Sequence, residues 1–526
     1  MTKLPRSSYA ILAVLFIVLL VLPSTLVSTQ GPPGSKDSGT RASVVQPKDS
    51  FTKIDDSYQR GEISYDERAR LLATAMYRKD GLPAKYSGDV IAEDITTTIL
   101  DLKHNWDKLS PETQALFQER AGFTDTFDWG STSADCATGA GVISFPSYVD
   151  TSHFRIHYAT SGGHASTLAY ANTIGTNIEV GYQTRGNMNF KNARLDGSTG
   201  GGTNKIDVYI GDLQGAGFYG VAFEETLDAS SSNPNDYIGY ICVDKNLPTN
   251  RLQSTPPHEY HHLVQFAYNG WEFAWLMEAT STWFQEKAFP SNDAYYARIT
   301  TLMTTADYDL TSTYSDREYG AAGFLLYFDS QLGNDIVRRI WDKTVTSTYS
   351  SHPDFKAVCD ALKVAMYGYD WKTAIFDFWT AMQMNYNYAG LARGYHLQVV
   401  DQSYWAWPDY QAAGGYSGTT KSFSDNDGTL AWGGSDCVAV APSVDSMKIT
   451  FDGADAGNFL VAFVRVGWGG TASQSDVIRL GTGAGNVASW STSSATNYAE
   501  YDIFIININY NTGTTSYGWT VTISPP

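Results

Sequence analysis

The stretch Ser254–Phe289, STPPHEYHHLVQFAYNGWEFAWLMEATSTWFQEKAF, contains three of the chain's nine histidines within five residues. Two interpretations compete: an aromatic-rich helical hairpin with incidental polar residues, or a metal site. Thr255 suits the N-cap of a helix and Pro256 suits its first position, whereas Asn269-Gly270 favours a helix end. The stretch therefore predicts one helix that begins after Thr255 and a second helix after the Asn269-Gly270 turn.

His258 and His262 are four residues apart, so on a helix both imidazoles lie on one face and can bind one ion. Glu259 follows the first histidine, where its carboxylate can take a proton from a zinc-activated water. This is the spacing of the HExxH motif. His261 does not match the second ligand position, and we interpret it as a residue that packs or supports a ligand beside the site.

A catalytic zinc needs a third protein ligand and an open fourth position. Position 265 is Gln and the next histidine is His352, so the third ligand should be a carboxylate of the second helix. Its acids are Glu272, Glu278 and Glu286. Glu278 has apolar neighbours, among which a carboxylate is costly unless a cation pairs with it. Glu272 lies too close to the turn and Glu286 can stay solvated, so Glu278 is the predicted ligand.

The paired segments HEYHHLVQFAY and WLMEATSTWFQE resemble the secreted HExxH…E metalloproteases of the gluzincin type, in particular exported bacterial and archaeal peptidases and the hyicolysin-like group. The resemblance covers roughly residues 152–388. It implies a zincin fold, with a twisted sheet and two active-site helices, and endopeptidase activity on proteins. The chain departs from thermolysin-like enzymes in two respects near the site. Thr282 stands where those enzymes have an aspartate, and the sequence gap between His262 and Glu278 is shorter than theirs.

Gluzincins usually add a tyrosine or histidine that stabilises the oxyanion of the tetrahedral intermediate. Tyr319 is the candidate here, with Tyr314 and His352 as alternatives, although a tyrosine at position 319 could equally serve only in packing. Zincins pair their peptide substrate with a sheet edge, a form of strand addition. The segment GFYGVAFEE, Gly217–Glu225, is the predicted edge.

The first 29 residues read as a signal peptide, because Lys3 and Arg6 precede the apolar run Ala10–Leu22 and small polar residues follow it. We therefore expect a secreted protein, with surface anchoring by an uncleaved segment as an alternative. The net charge is −19, whereas nucleic-acid binding requires a basic surface patch. A nucleic-acid partner is therefore not expected. Membrane contact is not expected beyond the N-terminal segment.

The rest of the chain predicts an α+β fold in several parts. Residues 30–50 read as a flexible linker, 51–125 as a helical pro-region of a zymogen, and 140–395 as the zincin-like domain. Residues 396–526 have strand periodicity and predict an antiparallel β-sandwich. Six tryptophans in or near the sandwich would suit a surface or glycan contact: Trp405, Trp407, Trp432, Trp468, Trp490 and Trp519.

Three further features are open to more than one interpretation. The segment SDNDGT, Ser424–Thr429, resembles part of a calcium loop, but it lacks further ligands, so a plain turn is the simpler expectation and Ca²⁺ stays unsupported. Cys136 could cap the zinc in a latent form, whereas a disulfide or a buried thiol is more typical of an exported protein. The pairing of Cys136, Cys242, Cys359 and Cys437 does not follow from sequence.

The expected activity is that of a zinc metalloendopeptidase on protein or peptide substrates. Two alternatives remain at this stage: a surface or glycan-binding protein with an inactive or structural metal site, and a zinc hydrolase with a non-protein substrate. An intact Glu259 argues against the first, because a structural site needs no general base.

Overall fold

The computed structural model describes most of the chain beyond residue 46, namely residues 47–77, 81–121, 145–195, 197, 202–228, 231–292, 294–333, 335–345, 358, 361, 371–387, 410–425, 430–431, 433–468, 477–482, 486–508 and 516–526. The predicted signal peptide and most of the predicted linker lie outside these residues. Among the helices that are described, none combines the length and apolar character that a membrane crossing requires.

A six-stranded mixed sheet organises the first part of the fold, with the strand order β1-β5-β6-β4-β3-β2. Its strands are β1 (Ala92–Asp94), β2 (Ser147–Asp150), β3 (Phe154–Tyr158), β4 (Ile206–Gly211), β5 (Phe218–Leu227) and β6 (Tyr237–Asp244). Strands β3, β4 and β6 are parallel, whereas β5 runs antiparallel to β6. The α+β class is confirmed.

One face of this sheet packs against two long helices, α5 (Leu168–Asn187) and α6 (Thr249–Asn269), and α7 (Ala274–Ala288) packs against both of them. Alternate side chains of the strands supply the apolar contacts, because successive residues of a strand point to opposite faces. The buried residues on this face include Val208, Ile210, Ala222, Ile241 and Val243. The core therefore lies between the sheet and the helices that carry the predicted metal ligands.

The opposite face of the same sheet is covered by the predicted pro-region. This segment forms α1 (Ser50–Gln59), α2 (Tyr65–Tyr77), α3 (Thr96–His104) and α4 (Pro111–Ala121). Its buried residues pack with the alternate set of strand side chains, which includes Tyr209, Phe218, Val221, Phe223 and Tyr240. Helix α4 begins at Pro111, and the Thr113 amide donates to Ser110 Oγ over 3.2 Å.

The same segment also extends the sheet, which the sequence did not indicate. Strand β1 lies between α2 and α3 in the chain and pairs with β5 in parallel, with Ala92 opposite Phe218 and Asp94 opposite Gly220. All three residues of β1 are buried. Strand β5 is the segment predicted as a sheet edge, and here its outer side is occupied by the chain's own N-terminal part.

The predicted start of the metal-site helix was wrong: α6 begins at Thr249, and Pro256 and Pro257 lie inside it. A proline has no N–H, so Pro256 leaves the carbonyl of Leu252 without its helical donor. Asn177 of α5 replaces that donor, because its Nδ2 donates to the Leu252 carbonyl over 2.6 Å. Packing against α5 therefore replaces the hydrogen bond that Pro256 removes, and α6 continues through both prolines.

Further helices follow α7 and complete the first core: α8 (Tyr296–Thr304), α9 (Arg317–Gly320), α10 (Ala322–Leu332), α11 (Asp335–Thr344) and α12 (Trp371–Asn387). The predicted β-sandwich is then formed by two sheets, β13-β10-β15-β8 and β12-β11-β14-β9-β7. Its strands are β7 (Tyr410–Tyr416), β8 (Lys421–Ser424), β9 (Ser435–Pro442), β10 (Met447–Gly453), β11 (Phe459–Val466), β12 (Val477–Leu480), β13 (Val487–Thr492), β14 (Glu500–Asn507) and β15 (Trp519–Ser524).

The antiparallel prediction for the sandwich fails at one pair, since β7 runs parallel to β9. The sandwich is joined directly to the helical part. Trp379 of α12 donates its indole N–H to the Gly433 carbonyl over 2.9 Å, and the Ser435 amide donates to the Ala306 carbonyl over 2.8 Å.

We expect Asn177→Ala to lower the free energy of unfolding by about 0.5–1.5 kcal/mol, because it removes the hydrogen bond to the half-buried Leu252 carbonyl. Asn172→Ala, an exposed change on the same helix, is the matched control and should have little effect. Urea denaturation of the two variants and the parent protein measures the difference. Equal midpoints for both variants would contradict this account of the prolines.

Candidate metal centre

Four buried side chains converge between the sheet and the helix pair: Asp94 of β1, His258 and His262 of α6, and Glu278 of α7. Each offers one ligand atom, and these atoms all lie within 4.8 Å of one another. Glu278 Oε2 lies 3.2 Å from His258 Nε2 and 3.6 Å from His262 Nε2. Asp94 Oδ2 lies 3.3 Å from His262 Nε2 and 3.8 Å from His258 Nε2.

These four separations are close to those of ligands around a small ion, or a few tenths of an ångström longer. Four ligands placed tetrahedrally at about 2.0–2.1 Å from an ion are about 3.3–3.4 Å apart. Asp94 Oδ2 and His262 Nε2 face each other at a similar separation, and neither has a hydrogen-bond partner among the described residues. Buried polar groups normally have partners. The four residues therefore could bind a metal ion.

Both imidazoles are oriented by glutamine side chains. His262 Nδ1 donates to Gln265 Oε1 over 2.8 Å, and His258 Nδ1 lies 3.2 Å from Gln285 Oε1. Gln265 Nε2 in turn donates to the Met277 carbonyl over 2.9 Å, which keeps its oxygen towards the histidine. A donor role for each Nδ1 leaves each Nε2 free to bind an ion. Sequence reasoning noted Gln265 only as a missing histidine, and it missed Gln285.

Glu259 lies next to this group against the backbone of β5. A Cβ atom on Gly220 would stand 2.2 Å from Glu259 Oε1, so only glycine admits the carboxylate at this position. The Oε1 atom has no hydrogen-bond partner among the described residues. The other oxygen, Oε2, lies 3.2 Å from the hydroxyl of Thr96. Glu259 is thus fully buried beside the four converging side chains.

The charged groups around the site favour the binding of a cation. Burial and the nearby Asp94 charge raise the pKa of Glu259 well above its usual range. Burial would lower the pKa of His258 and His262, but contacts with Asp94 and Glu278 outweigh burial and raise both. For Asp94, contacts with the two histidines outweigh burial and lower the pKa. The carboxylates therefore stabilise any cation that occupies the space between them.

Asp94 is the member of this group that sequence reasoning missed. It stands 164 residues before His258, in the predicted pro-region rather than the predicted domain. The only local signal is the pattern AEDITTT, in which Asp94 lies just before α3 and its Oδ1 accepts from the amide of Thr96, the first residue of that helix, over 2.8 Å. Such a pattern indicates a helix start and carries no sign of a ligand.

Tyr319, the predicted oxyanion stabiliser, is buried beside the group. Its ring stacks over His258 with 6.1 Å between centroids, and its hydroxyl lies 3.5 Å from the Asp94 carbonyl. Burial, with the charges of Glu278 and Asp94, raises the pKa of Tyr319 well above its usual value. Tyr314 stacks on Tyr308 instead, and His352 lies outside the described residues.

His261 is turned away from the group into the helix core. It stacks on Phe284 with 4.3 Å between ring centroids and meets Phe190 edge-on. Burial lowers its pKa well below the usual value, so the ring is neutral. The packing interpretation of His261 agrees with this position.

Glu272 and Glu286, the other two acids considered for the third ligand, are not members of the four-residue group. Glu272 accepts a hydrogen bond from Asn269 Nδ2 over 2.8 Å, and burial raises its pKa to about 7. Glu286 is half-buried and is absent from the four-residue group. Thr282, at the position of the thermolysin aspartate, is buried, and the glutamines perform the orienting role.

Other predicted features lie away from the group. Trp519 is buried in the sandwich, Trp490 packs with Phe463 and Tyr501, and Trp468 is exposed. Trp405, Trp407, Trp432, Cys136, Cys359 and most of the SDNDGT turn lie outside the described residues. Cys242 is disulfide-bonded, whereas Cys437 is free and buried.

No protein-family model matches the chain, and no curated protein matches its sequence.

We expect Gln265→Ala to weaken metal binding by about 10–100-fold, because His262 loses the acceptor that fixes its ring. Gln253→Ala, an exposed change on the same helix, is the control and should leave affinity unchanged. Competition with a chromophoric chelator measures both. Parent-like affinity in Gln265→Ala would show that the amide does not orient the ligand.

Proposed function

We propose that the chain is an exported, zinc-dependent metalloendopeptidase with a zincin-like catalytic domain. The observation that carries the proposal is the placement of Glu259, a buried carboxylate without a partner at Oε1, beside His258, His262 and Glu278. A purely structural metal site needs no such group. A buried acid without a partner lowers the stability of the fold, and a role as general base would explain why one is present at this position.

Zinc is the metal that the donor atoms favour. Two imidazole nitrogens with carboxylate oxygens, at tetrahedral separations, suit Zn²⁺, whereas Ca²⁺ and Mg²⁺ prefer six or more oxygen ligands. The charge of the group fits a divalent cation in general. With both imidazoles neutral, the carboxylates of Asp94 and Glu278 carry two negative charges, which one divalent cation balances. The described residues give no support to a Ca²⁺ site.

Zinc in such a site polarises a carbonyl and makes a bound water acidic. The chain's own residues supply the proton transfers. Glu259 takes the proton of the attacking water and passes it to the leaving amine. Tyr319, whose ring lies over His258 and whose hydroxyl lies 3.5 Å from the Asp94 carbonyl, is the group that would donate to the carbonyl oxygen as negative charge develops there.

A peptide is the substrate that the sheet favours. Strand β5 runs beside Glu259, through Gly220, and its outer side accepts a strand: the Ala92 amide donates to the Gly217 carbonyl over 2.8 Å. An extended peptide can bind along the same edge by strand addition. An ester or a glycan would not use these backbone groups, so the pairing favours peptide hydrolysis over the non-protein alternative.

Export is supported by the disulfide at Cys242, since disulfides persist mainly in oxidising compartments. It agrees with the predicted signal peptide at residues 1–29. The glycan-binding alternative has less support, because Trp519 and Trp490 serve the packing of the sandwich and leave Trp468 as the exposed indole among the described tryptophans of that set.

We expect Glu278→Gln to lose zinc and Glu286→Gln to keep it. The first removes a buried ligand, and the second changes a half-buried acid outside the group. Because metal binding is coupled to folding, Glu278→Gln should also unfold at lower temperature. Elemental analysis and thermal melting of the two purified variants test this. Zinc loss in Glu286→Gln alone would assign the third ligand to Glu286.

We expect Glu259→Gln to keep zinc and to cleave casein about 10²–10⁴-fold more slowly than the parent, since the base is lost and every ligand remains. Both proteins should be purified from the culture medium, after export and any processing, with Glu286→Gln as the active control. Equal cleavage by the parent and Glu259→Gln would refute the role of Glu259. Absence of zinc from the parent would refute the metal centre itself.

A further inference from the structure

We propose that the N-terminal segment 47–121 is an intramolecular inhibitor that closes the metal centre, with Asp94 as the fourth ligand. This inference rests on the proposed metallopeptidase function and adds the regulation of the same site. Five observations on the described residues support it.

The first is the orientation of the Asp94 carboxylate. Its Oδ1 accepts from the Thr96 amide over 2.8 Å and from the Thr96 hydroxyl over 2.6 Å. These bonds direct Oδ2, which has no hydrogen-bond partner among the described residues, towards His262 and His258. Asp94 is therefore fixed as a ligand and does not merely lie nearby.

The second is the number of ligands. A catalytic zinc keeps one position open for water or substrate, whereas four protein ligands form a closed, structural site. His258, His262 and Glu278 leave that position open, and Asp94 takes it. With Asp94 in place, no position remains for the water that Glu259 would activate.

The third is the sheet edge that a peptide would need. Strand β1 pairs with β5 through Ala92 and Asp94. Beyond the strand, the Ala222 amide of β5 donates to the Thr96 hydroxyl over 2.8 Å. The inhibitor thus uses the backbone groups along which we propose that substrate binds.

The fourth is contact with the proposed proton-transfer groups. The Thr96 hydroxyl lies 3.2 Å from Glu259 Oε2, and the Tyr319 hydroxyl lies 3.5 Å from the Asp94 carbonyl. The segment therefore reaches the metal ligands, the base, the tyrosine and the sheet edge together. A peptide substrate and this segment exclude each other.

The fifth is the anchoring of β1 by charge. Glu93 is buried and pairs with Arg251, at the start of α6, and its Oε2 lies 3.7 Å from Arg298 of α8. Arg298 also pairs with Asp316 over 2.7 Å. Asp94 is thus held at the metal by its neighbour in sequence as well as by Thr96.

The test uses the full chain with Co²⁺ in place of zinc, because the visible absorption of Co²⁺ reports its ligands. The probe is azide, a small anion that can take an open position. We expect the parent spectrum to resist azide and that of Asp94→Ala to shift saturably. If Asp94 holds the position in more than about nine molecules in ten, apparent azide affinity should rise about tenfold or more. Asp89→Asn, an exposed acid of the same segment that is paired with Lys53, is the matched control.

Asp94→Asn keeps the shape of the side chain and carries the same test if Asp94→Ala does not fold. Equal azide binding by the parent and both Asp94 variants would overturn the inference and leave the metal centre intact. Loss of Co²⁺ from both Asp94 variants, as complete as in Glu278→Gln, would also overturn it, because Asp94 would then be a structural ligand. Absence of Co²⁺ binding in the parent would instead refute the proposed function on which the inference rests.

Discussion

Two carboxylates and two imidazoles lie together in the interior of this protein. The helices and strands that carry them pack around this buried group. Asp94, His258, His262 and Glu278 are each 5% exposed or less. Such groups are costly in an apolar core unless a charge neutralises them. A metal ion bound by all four would neutralise them and would join α6, α7 and the distant strand β1 at a single centre. Metal binding and the tertiary fold should therefore depend on each other.

The members of the group that α6 and α7 supply could be predicted because they are local in sequence. A spacing of four residues is enough to place His258 and His262 on one helix face, and the apolar neighbours of Glu278 mark it as an acid that needs a cation. Asp94 could not be found in this way. Its approach to the site depends on the pairing of β1 with β5, a contact between residues more than 120 apart in the chain.

The fold shows the same division between local and tertiary causes. Strand periodicity was enough to predict that the C-terminal part is built from strands, which form two sheets. The start of α6 could not be predicted in this way, because Asn177 supplies a hydrogen bond that local sequence cannot show and so permits prolines within the helix. Strand β1 is too short to have a periodicity, and the parallel pairing of β7 with β9 is likewise a tertiary contact.

The N-terminal segment contacts the sheet in two ways, through its helices and through strand β1, and the two contacts differ in how much surface they bury. Its helices bury a broad apolar face of the sheet, including Phe218, Phe223 and Tyr240, and loss of the whole segment would expose those aromatic residues to water. Strand β1, in contrast, has three residues and two register pairs with β5. Local opening costs less than loss of a packed face. Release of β1 with the helices retained is therefore the less costly route by which Asp94 could leave His258, His262 and Glu278, and it would keep the sheet covered while opening its edge.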